Sequence, residues 1–338
     1  MNLAAADWVN LQRLRDKFLE PEALITDYWD SVRTLELYDQ TFAQRIGWKW
    51  NAVLVYLERI RWSPCQGTIV DWGCGTGIAA RLFARRYRGL DEVRFVDRST
   101  VAAKFAQTRF QTEHPSITSG IGLPSSGDFC LLVSHVLNEL DPSGENQLRT
   151  LFERARAVIW VEAGTRATSR RLSAWRDEKR SEVVAPCTQS EPCGMLQSGN
   201  EQHWCHFFAQ PPGSIFVDSD WSEFGRRLEI DLRSLPYSYF VAGGQRGVQL
   251  DGYSRVLGTI RVYKPAAKLQ LCSIDGIQDV ELTRRANPDE WRKYKKGHGP
   301  DLVRVGVAAN RVIAWEEDLP KRDPLSPPLT PPISERQC

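Results

Sequence analysis

Apolar residues recur at helical spacing through the N-terminal region, first Trp8, Leu11, Leu14 and Phe18, then Trp50, Val53, Leu54, Leu57 and Ile60. Steps of three and four place each set on one helix face, so residues 1–65 are expected to form a helical cap. Such a cap either packs beside a ligand mouth or simply extends the core, and no site residue is assigned to it. From Gly67 the pattern changes. Short apolar runs at Thr68–Asp71, Val93–Val96, Phe129–Ser134 and Val158–Val161 alternate with helix-like stretches at Ile78–Tyr87, Val101–Phe110, Asn146–Ala155 and Ser169–Arg180. That alternation predicts a parallel α/β sheet. Right-handed crossovers put the carboxyl ends of its strands on one rim, so Asp71, Asp97, Ser134 and Glu162 are expected around one crevice. Between 181 and 210 the rhythm breaks, which reads as an insertion. Beyond it, Ser238–Val241 and Lys268–Cys272 read as an antiparallel hairpin finishing the sheet, with Asp275-Gly276 as the turn that follows. The organisation expected is a helical region at 1–65, a sheet domain at 66–276 with its insertion at 181–210, a basic extension at 277–318, and a proline-rich tail at 319–338 without fixed structure.

The chemistry concentrates at Val70-Asp-Trp-Gly-Cys-Gly-Thr-Gly77, where an apolar strand runs into glycines at alternate positions and then into a helix. Glycine there lets the chain turn sharply and a ligand approach the backbone with no Cβ between them. Isoleucine at 78 makes the spacing G-x-G-x-G, not the G-x-G-x-x-G of dinucleotide sites, which favours a cofactor without a pyrophosphate. With Asp71 just before the glycines, the stretch resembles the S-adenosylmethionine (SAM) loop of class I methyltransferases. The resemblance implies a Rossmann-like fold in which Asp71, Gly73, Cys74, Gly75 and Gly77 hold the cofactor, helped by Ser134. Asp97 ends the next strand about twenty residues beyond Gly77, where a carboxylate suits two ribose hydroxyls. A tight glycine turn with Asp97 as a helix cap is the bland alternative.

Composition adds bounds. The chain has 338 residues, 42% of them apolar, enough for a substantial core. Its net charge of +2 points to no partner, so a nucleic-acid surface would have to be a local patch. With no run of eighteen apolar residues and no basic-then-apolar leader, a soluble, cytoplasmic protein without membrane contact is expected, as a monomer. Of eight cysteines, three crowd into Cys187–Cys205. A reducing compartment disfavours disulfides. Four thiolates around one centre suit zinc or an iron–sulfur cluster, and a strand end at Cys272 can supply a fourth sulfur to Cys187, Cys193 and Cys205. The spacing is unlike paired C-x-x-C zinc motifs, although His203 and His206 can complete a mixed zinc site. Structural thiols remain an equal reading of the spacing.

Taken together, Asp71–Gly77, Ser134-His-Val-Leu-Asn-Glu-Leu140, Val161-Glu-Ala-Gly-Thr165, Ala185-Pro-Cys187 with Cys193, Trp204-Cys-His-Phe207 and Leu271-Cys-Ser-Ile-Asp-Gly276 resemble, in order, the methyltransferase-like proteins associated with the small ribosomal subunit of mitochondria and bacteria. The resemblance covers roughly residues 38–300. It implies a SAM-methyltransferase core with an inserted segment whose four cysteines, carried over as Cys187, Cys193, Cys205 and Cys272, hold a [4Fe-4S] cluster. It also implies binding of small-subunit ribosomal RNA during ribosome assembly. Thr188-Gln189, Cys193-Gly194 and Ala163 depart from the family's usual residues and leave the ligands intact.

Methyl transfer needs alignment, plus a base where the acceptor is protonated. Ser134, His135, Glu139 and Glu162 are the candidates for the acceptor pocket, each of which also reads as an ordinary structural residue. Arg170, Arg171, Arg284, Arg285, Lys293, Lys295 and Lys296 are the candidate RNA contacts, with Trp291 and Tyr294 interleaved for stacking. Three functions are open: an RNA methyltransferase gripping ribosomal RNA, a non-catalytic assembly factor that keeps the SAM fold, and a zinc-containing small-molecule methyltransferase.

Overall fold

A computed structural model describes residues 3–19, 29–64, 67–125 and 127–318. Cys65, Cys338 and the proline-rich tail lie outside the described residues. Three helices come first, α1 (Ala5–Leu19), α2 (Val32–Gln40) and α3 (Phe42–Arg59). Their apolar stripes, Leu11 and Leu14, Leu35 and Leu37, Trp50, Val53 and Leu54, are buried in the main core. The N-terminal helices are therefore a layer of the body.

The α/β rhythm follows as β1 (Trp62–Ser63), β2 (Thr68–Trp72), α4 (Ile78–Arg86), β3 (Glu92–Val96), α5 (Thr100–Glu113), β4 (Thr118–Ile121), β5 (Cys130–Ser134), α6 (Pro142–Arg154), β6 (Ala157–Ala163) and α7 (Arg166–Glu178). Small polar side chains start the helices by accepting orphan N–H groups, Ser99 for α5, Asp141 for α6 and Thr165 for α7. Arg81 of α4, buried, donates to Asp39 of α2 and to Glu113 of α5 at 2.8 Å, and so ties the first helices to the sheet. After α7 come β7 (Val183–Ala185), β8 (Phe207–Phe208), α8 (Ser219–Arg227), β9 (Pro236–Gly243) and β10 (Gln245–Arg246). The sheet runs β4-β3-β2-β5-β6-β9-β7, with β8 also on β9. Strands β2 to β6 are parallel, while β9 is antiparallel to both β6 and β7. One face packs on the N-terminal helices, α4 and α5, and the other on α6 and α7.

The last strands depart from the expected hairpin. Lys268–Cys272 is not in this sheet. It belongs to β12 of a closed barrel made of β11 (Ser254–Val262), β12 (Ala266–Ser273), β13 (Gly276–Thr283), α9 (Pro288–Lys295), β14 (Leu302–Ala308) and β15 (Arg311–Asp318), in the order β11-β12-β13-β15-β14. The edge of the sheet is filled instead by β7, three residues inside the stretch that reads as irregular. Asp275-Gly276 turns the chain from β12 into β13, with Gly276 at φ 91°. Alternate residues of β12 and β13, Ala267, Leu269, Leu271, Val280 and Leu282, fill the barrel together with Trp291 of α9. A five-stranded Greek-key barrel with a helix between its third and fourth strands has the architecture of an oligonucleotide/oligosaccharide-binding (OB) barrel.

Candidate cofactor cavity and cysteine cluster

Gly73, Gly75 and Gly77 all have positive φ, 66°, 50° and 73°. A Cβ on Gly73 would strike Val136, and one on Gly77 would press on Ala106 and Phe95, so these two glycines let the loop pack. At Gly75 an added Cβ would meet nothing within 4 Å. That residue borders a cavity of about 320 Å³, within the range of small-molecule sites, walled also by Gly73, Cys74, Asp97 and Ser134. Asp97 Oδ2 accepts from Gly75 N–H at 2.8 Å and Oδ1 from Ser99 N–H at 2.9 Å, which fixes the carboxylate at the loop.

Asp71 and Gly77 do not border the cavity. Asp71 is fully buried behind the loop, where Oδ2 accepts from Ala80 N–H at 3.2 Å at the start of α4. Burial pushes its carboxyl up to about 8, and Oδ1 has no hydrogen-bond partner. Thr76 does reach the cavity, and its buried Oγ1 also lacks a partner. An unpartnered hydroxyl, an open glycine backbone and a fixed carboxylate on one wall fit a polar, nucleoside-containing ligand. Trp29, just before α2, with Tyr38 of α2 and Ile46 of α3, closes the cavity from the N-terminal region, which reads as bearing no site residues. Thr76 lay within the loop motif and was legible as a neighbour. Tyr38 carried no sequence signal, since an aromatic on a helix usually means core, and Trp29 belongs to no periodic pattern.

The acceptor candidates form a chain of contacts. Lys49 Nζ lies 3.0 Å from His135 Nε2, and burial lowers the amine to about 8, leaving it largely charged at neutral pH. A charged amine can only donate, so His135 accepts at Nε2 and carries its proton on Nδ1, 3.3 Å from Ser134 Oγ. Burial, reinforced by Lys49, holds the ring well below its ordinary pKa and hence neutral. Trp50 Nε1–H also donates to Ser134 Oγ at 2.9 Å. With two donors on that oxygen, the Ser134 proton is left to a ligand in the cavity. His135 therefore positions Ser134, and its own base nitrogen is covered.

Glu139 borders the cavity and pairs with Arg98 at 3.2 Å. Glu162 lies away from it. Its Oε1 accepts from Val136 and Leu137 N–H and from Trp160 Nε1–H at 2.8–3.2 Å, holding the segment after β5 in place. Burial raises Glu162 to about 7. Of the strand-end residues expected at one crevice, Asp97 and Ser134 meet there, while Asp71 and Glu162 brace it from behind.

Cys187, Cys193, Cys205 and Cys272 come from the insertion and from β12. Each pair among the four interacts electrostatically, and burial followed by the neighbouring sulfurs drives Cys193, Cys205 and Cys272 upward. Buried Arg176 donates to the carbonyls of Gln189 and Glu191 and to Asp177, whose carboxylate accepts from Cys193 N–H at 3.0 Å. Gly194 approaches the β12–β13 turn so closely that a Cβ would meet Ile277 at 3.1 Å. Among the described residues, no three His, Cys, Asp or Glu side chains are disposed to hold a metal ion. In the mixed zinc alternative, His203 Nδ1 is engaged by Gln270 Nε2 at 2.9 Å and His206 Nδ1 by the Trp204 carbonyl at 3.1 Å, so each ring would have only Nε2 to offer a metal.

The basic candidates divide. Arg170 donates to the carbonyls of Met195, Asn200 and His203 and clamps the insertion, and Arg171 donates to Leu137. Trp291 and Tyr294 are buried in the barrel and cannot stack on bases; burial of the α9 stripe overrides the surface reading. Arg284 and Lys295 lie over the Trp291 ring, and Arg285, Lys293 and Lys296 are exposed around them.

A parallel sheet in this order with an antiparallel β9 between β6 and β7, and a glycine-lined cavity at the carboxyl ends of its strands, defines a class I SAM methyltransferase fold. The family described as mitochondrial small ribosomal subunit Rsm22 matches residues 43–304, and the chain belongs to that family. Comparison with curated proteins gives no match. Among solved structures, a candidate RNA methyltransferase from Pyrococcus horikoshii is similar at 13% identity, over 71% of this chain and 98% of that one, with a TM-score of 0.35. A plantazolicin methyltransferase in complex with SAH matches at 11%, over 71% and 100%, with a TM-score of 0.33. A 16S rRNA methylase matches at 13%, over 72% and 76%, with a TM-score of 0.31. Among the described residues no helix is long and apolar enough to cross a membrane.

Proposed function

We propose that the protein binds SAM in the glycine-lined cavity and acts on or with the RNA of the small ribosomal subunit during its assembly. The observation that carries the cofactor is the cavity wall itself, where Gly75 is open, Thr76 Oγ1 lacks a partner and Asp97 stands fixed at the loop. Asp97 is the group for the ribose hydroxyls, and the Ser134 hydroxyl is the donor toward the reacting end. Membership of a small-subunit family supports the ribosomal partner.

The four cysteines are proposed as ligands of a [4Fe-4S] cluster. The donor set is all sulfur, every pair interacts, and buried Arg176 offsets the negative charge of thiolates. The cluster would join the insertion to the barrel. Iron and acid-labile sulfide in anaerobically purified protein test this, and zinc in their place defeats it.

One observation favours a role without methyl transfer. His135 is covered by Lys49, Glu139 is paired with Arg98, and Glu162 braces a loop, so none of the ionisable candidates offers a base to an acceptor. The deciding assay supplies radiolabelled SAM and small particles from a strain lacking the protein. Label in a defined RNA fragment establishes transfer. SAM binding and particle binding without label establish the assembly-factor role, and failure to bind SAM at all overturns the cofactor reading.

A further inference from the structure

The insertion and the barrel enclose a second, larger groove of about 990 Å³. On one wall, Trp204, His206 and Phe208 stand at alternate positions of an extended segment. Trp204 and His206 are stacked at 4.7 Å and 19°, and Phe208 meets His206 edge-on at 5.5 Å with 39% of its surface exposed. Gly258 of β11 makes this possible, since a Cβ there would lie 2.9 Å from the His206 ring, and its N–H donates to the His206 carbonyl at 3.0 Å.

The opposite wall is the outer face of β12 and β13 with the turn between β14 and β15. With Arg261 at the end of β11, this side of the groove carries Arg261, Lys268 and Arg311, all exposed. Two carboxylates share the wall, and both are engaged: Glu281 lies 3.9 Å from Lys268 and 4.0 Å from Arg311, and Asp279 accepts from the Gln270 amide at 3.1 Å. Three cations against two carboxylates leave an excess of positive charge facing a row of rings. A flexible polyanion with flat bases matches both walls, because bases stack on rings whatever their sequence and phosphates seek the cations. A neutral sugar chain would use the rings and leave the cations without a role. Second and third strands plus the fourth-to-fifth loop also form the face on which OB barrels take oligonucleotides.

We infer that this groove binds single-stranded RNA, with bases against the Trp204–His206–Phe208 row and phosphates against Arg261, Lys268 and Arg311. The inference rests on the ribosomal reading above and moves the RNA contact away from the basic residues around α9. The test is fluorescence anisotropy of a labelled twelve-nucleotide single-stranded RNA with the full chain, alongside co-sedimentation with small ribosomal particles. Lys268→Glu with Arg311→Glu is expected to weaken RNA binding at least tenfold and to flatten its salt dependence, and Phe208→Ala to weaken it about fivefold or more. Unchanged melting temperature and SAM affinity show that these surface variants fold. A duplex RNA of equal length is expected to compete at least tenfold less well. Unchanged RNA binding in the groove variants, loss on Arg285→Glu with Lys293→Glu instead, or preference for a neutral oligosaccharide overturns the inference. Particle binding that survives in every variant leaves the ribosomal reading standing while the groove falls. RNA bound in the groove without any particle binding supports the groove and removes the ribosomal reading.

Discussion

The cofactor cavity and the cysteine-lined junction are built in opposite ways. The cavity takes its loop, its carboxylate and its serine from the ends of the adjacent strands β2, β3 and β5, so each piece is positioned by the turn that follows its own strand. At the junction, Cys187 follows an edge strand, Cys193 and Cys205 lie in loops, and Cys272 ends a barrel strand. The first site is a property of local strand–turn–helix geometry. The second exists only because two folded bodies meet, and its polar clamps, Arg170 and Arg176, spend their donors on loop carbonyls.

If the two regions are independent, each can be broken alone. The largest effect is expected from Arg176→Leu, which strands the Gln189 and Glu191 carbonyls and Asp177 and costs on the order of 3–5 kcal/mol. Hydrogen exchange should show residues 187–205 opening, while SAM affinity by calorimetry stays within about twofold; a collapse of SAM binding would show the regions coupled. Gly75→Val reverses the test. A β-branched residue at φ 50° is strained by about 1–3 kcal/mol and places its side chain at the cavity wall. SAM binding should weaken by about 100-fold, equivalent to about 2.7 kcal/mol, with RNA binding in the groove retained.

Smaller effects sharpen the cavity side. Glu162 has a folded pKa raised from 4.5 to about 7, so the native state keeps a proton that the unfolded chain releases. Its contribution is present at low pH, is lost as pH rises from about 4.5 to 7, and is flat above; Asp71, raised to about 8, extends the decline. Melting temperature should fall by several degrees between pH 5 and 8, at about 2–4 °C for each kcal/mol. Glu162→Gln, whose amide oxygen still accepts the three N–H groups, should flatten the part below pH 7. The smallest change is expected in Lys49→Met. Removing one of the two causes that depress His135 should raise its ring pKa, followed through the imidazole proton shifts by NMR, with burial keeping it below the ordinary value.

Much of the sheet was legible because its strands are continuous apolar runs and its helices carry clear stripes, as at Val70, Val93, Leu131 and Ile159. The glycine spacing and Asp97 pointed to the cavity. Three residues of edge strand at Val183–Ala185 were not legible, nor was the barrel, since alternation in β12 and β13 fits a hairpin as well as a closed ring. Trp291 and Tyr294 looked like a stacking platform beside basic residues and are instead the plug of that ring.

What the sequence determined by itself was whatever depends on neighbours along the chain: the α/β alternation, the positive-φ turn that glycines at 73, 75 and 77 favour, and the crowding of cysteines. Tertiary structure alone decided which strand closes the sheet edge, that Lys49 covers His135, that Asp71 and Glu162 brace the cavity from behind, and that Trp204, His206 and Phe208 face the cations of a barrel. The physical reason is range. Backbone conformation answers to residues a few positions away, whereas burial, charge pairing and ring contacts are settled by residues tens of positions distant that meet only when the chain has folded.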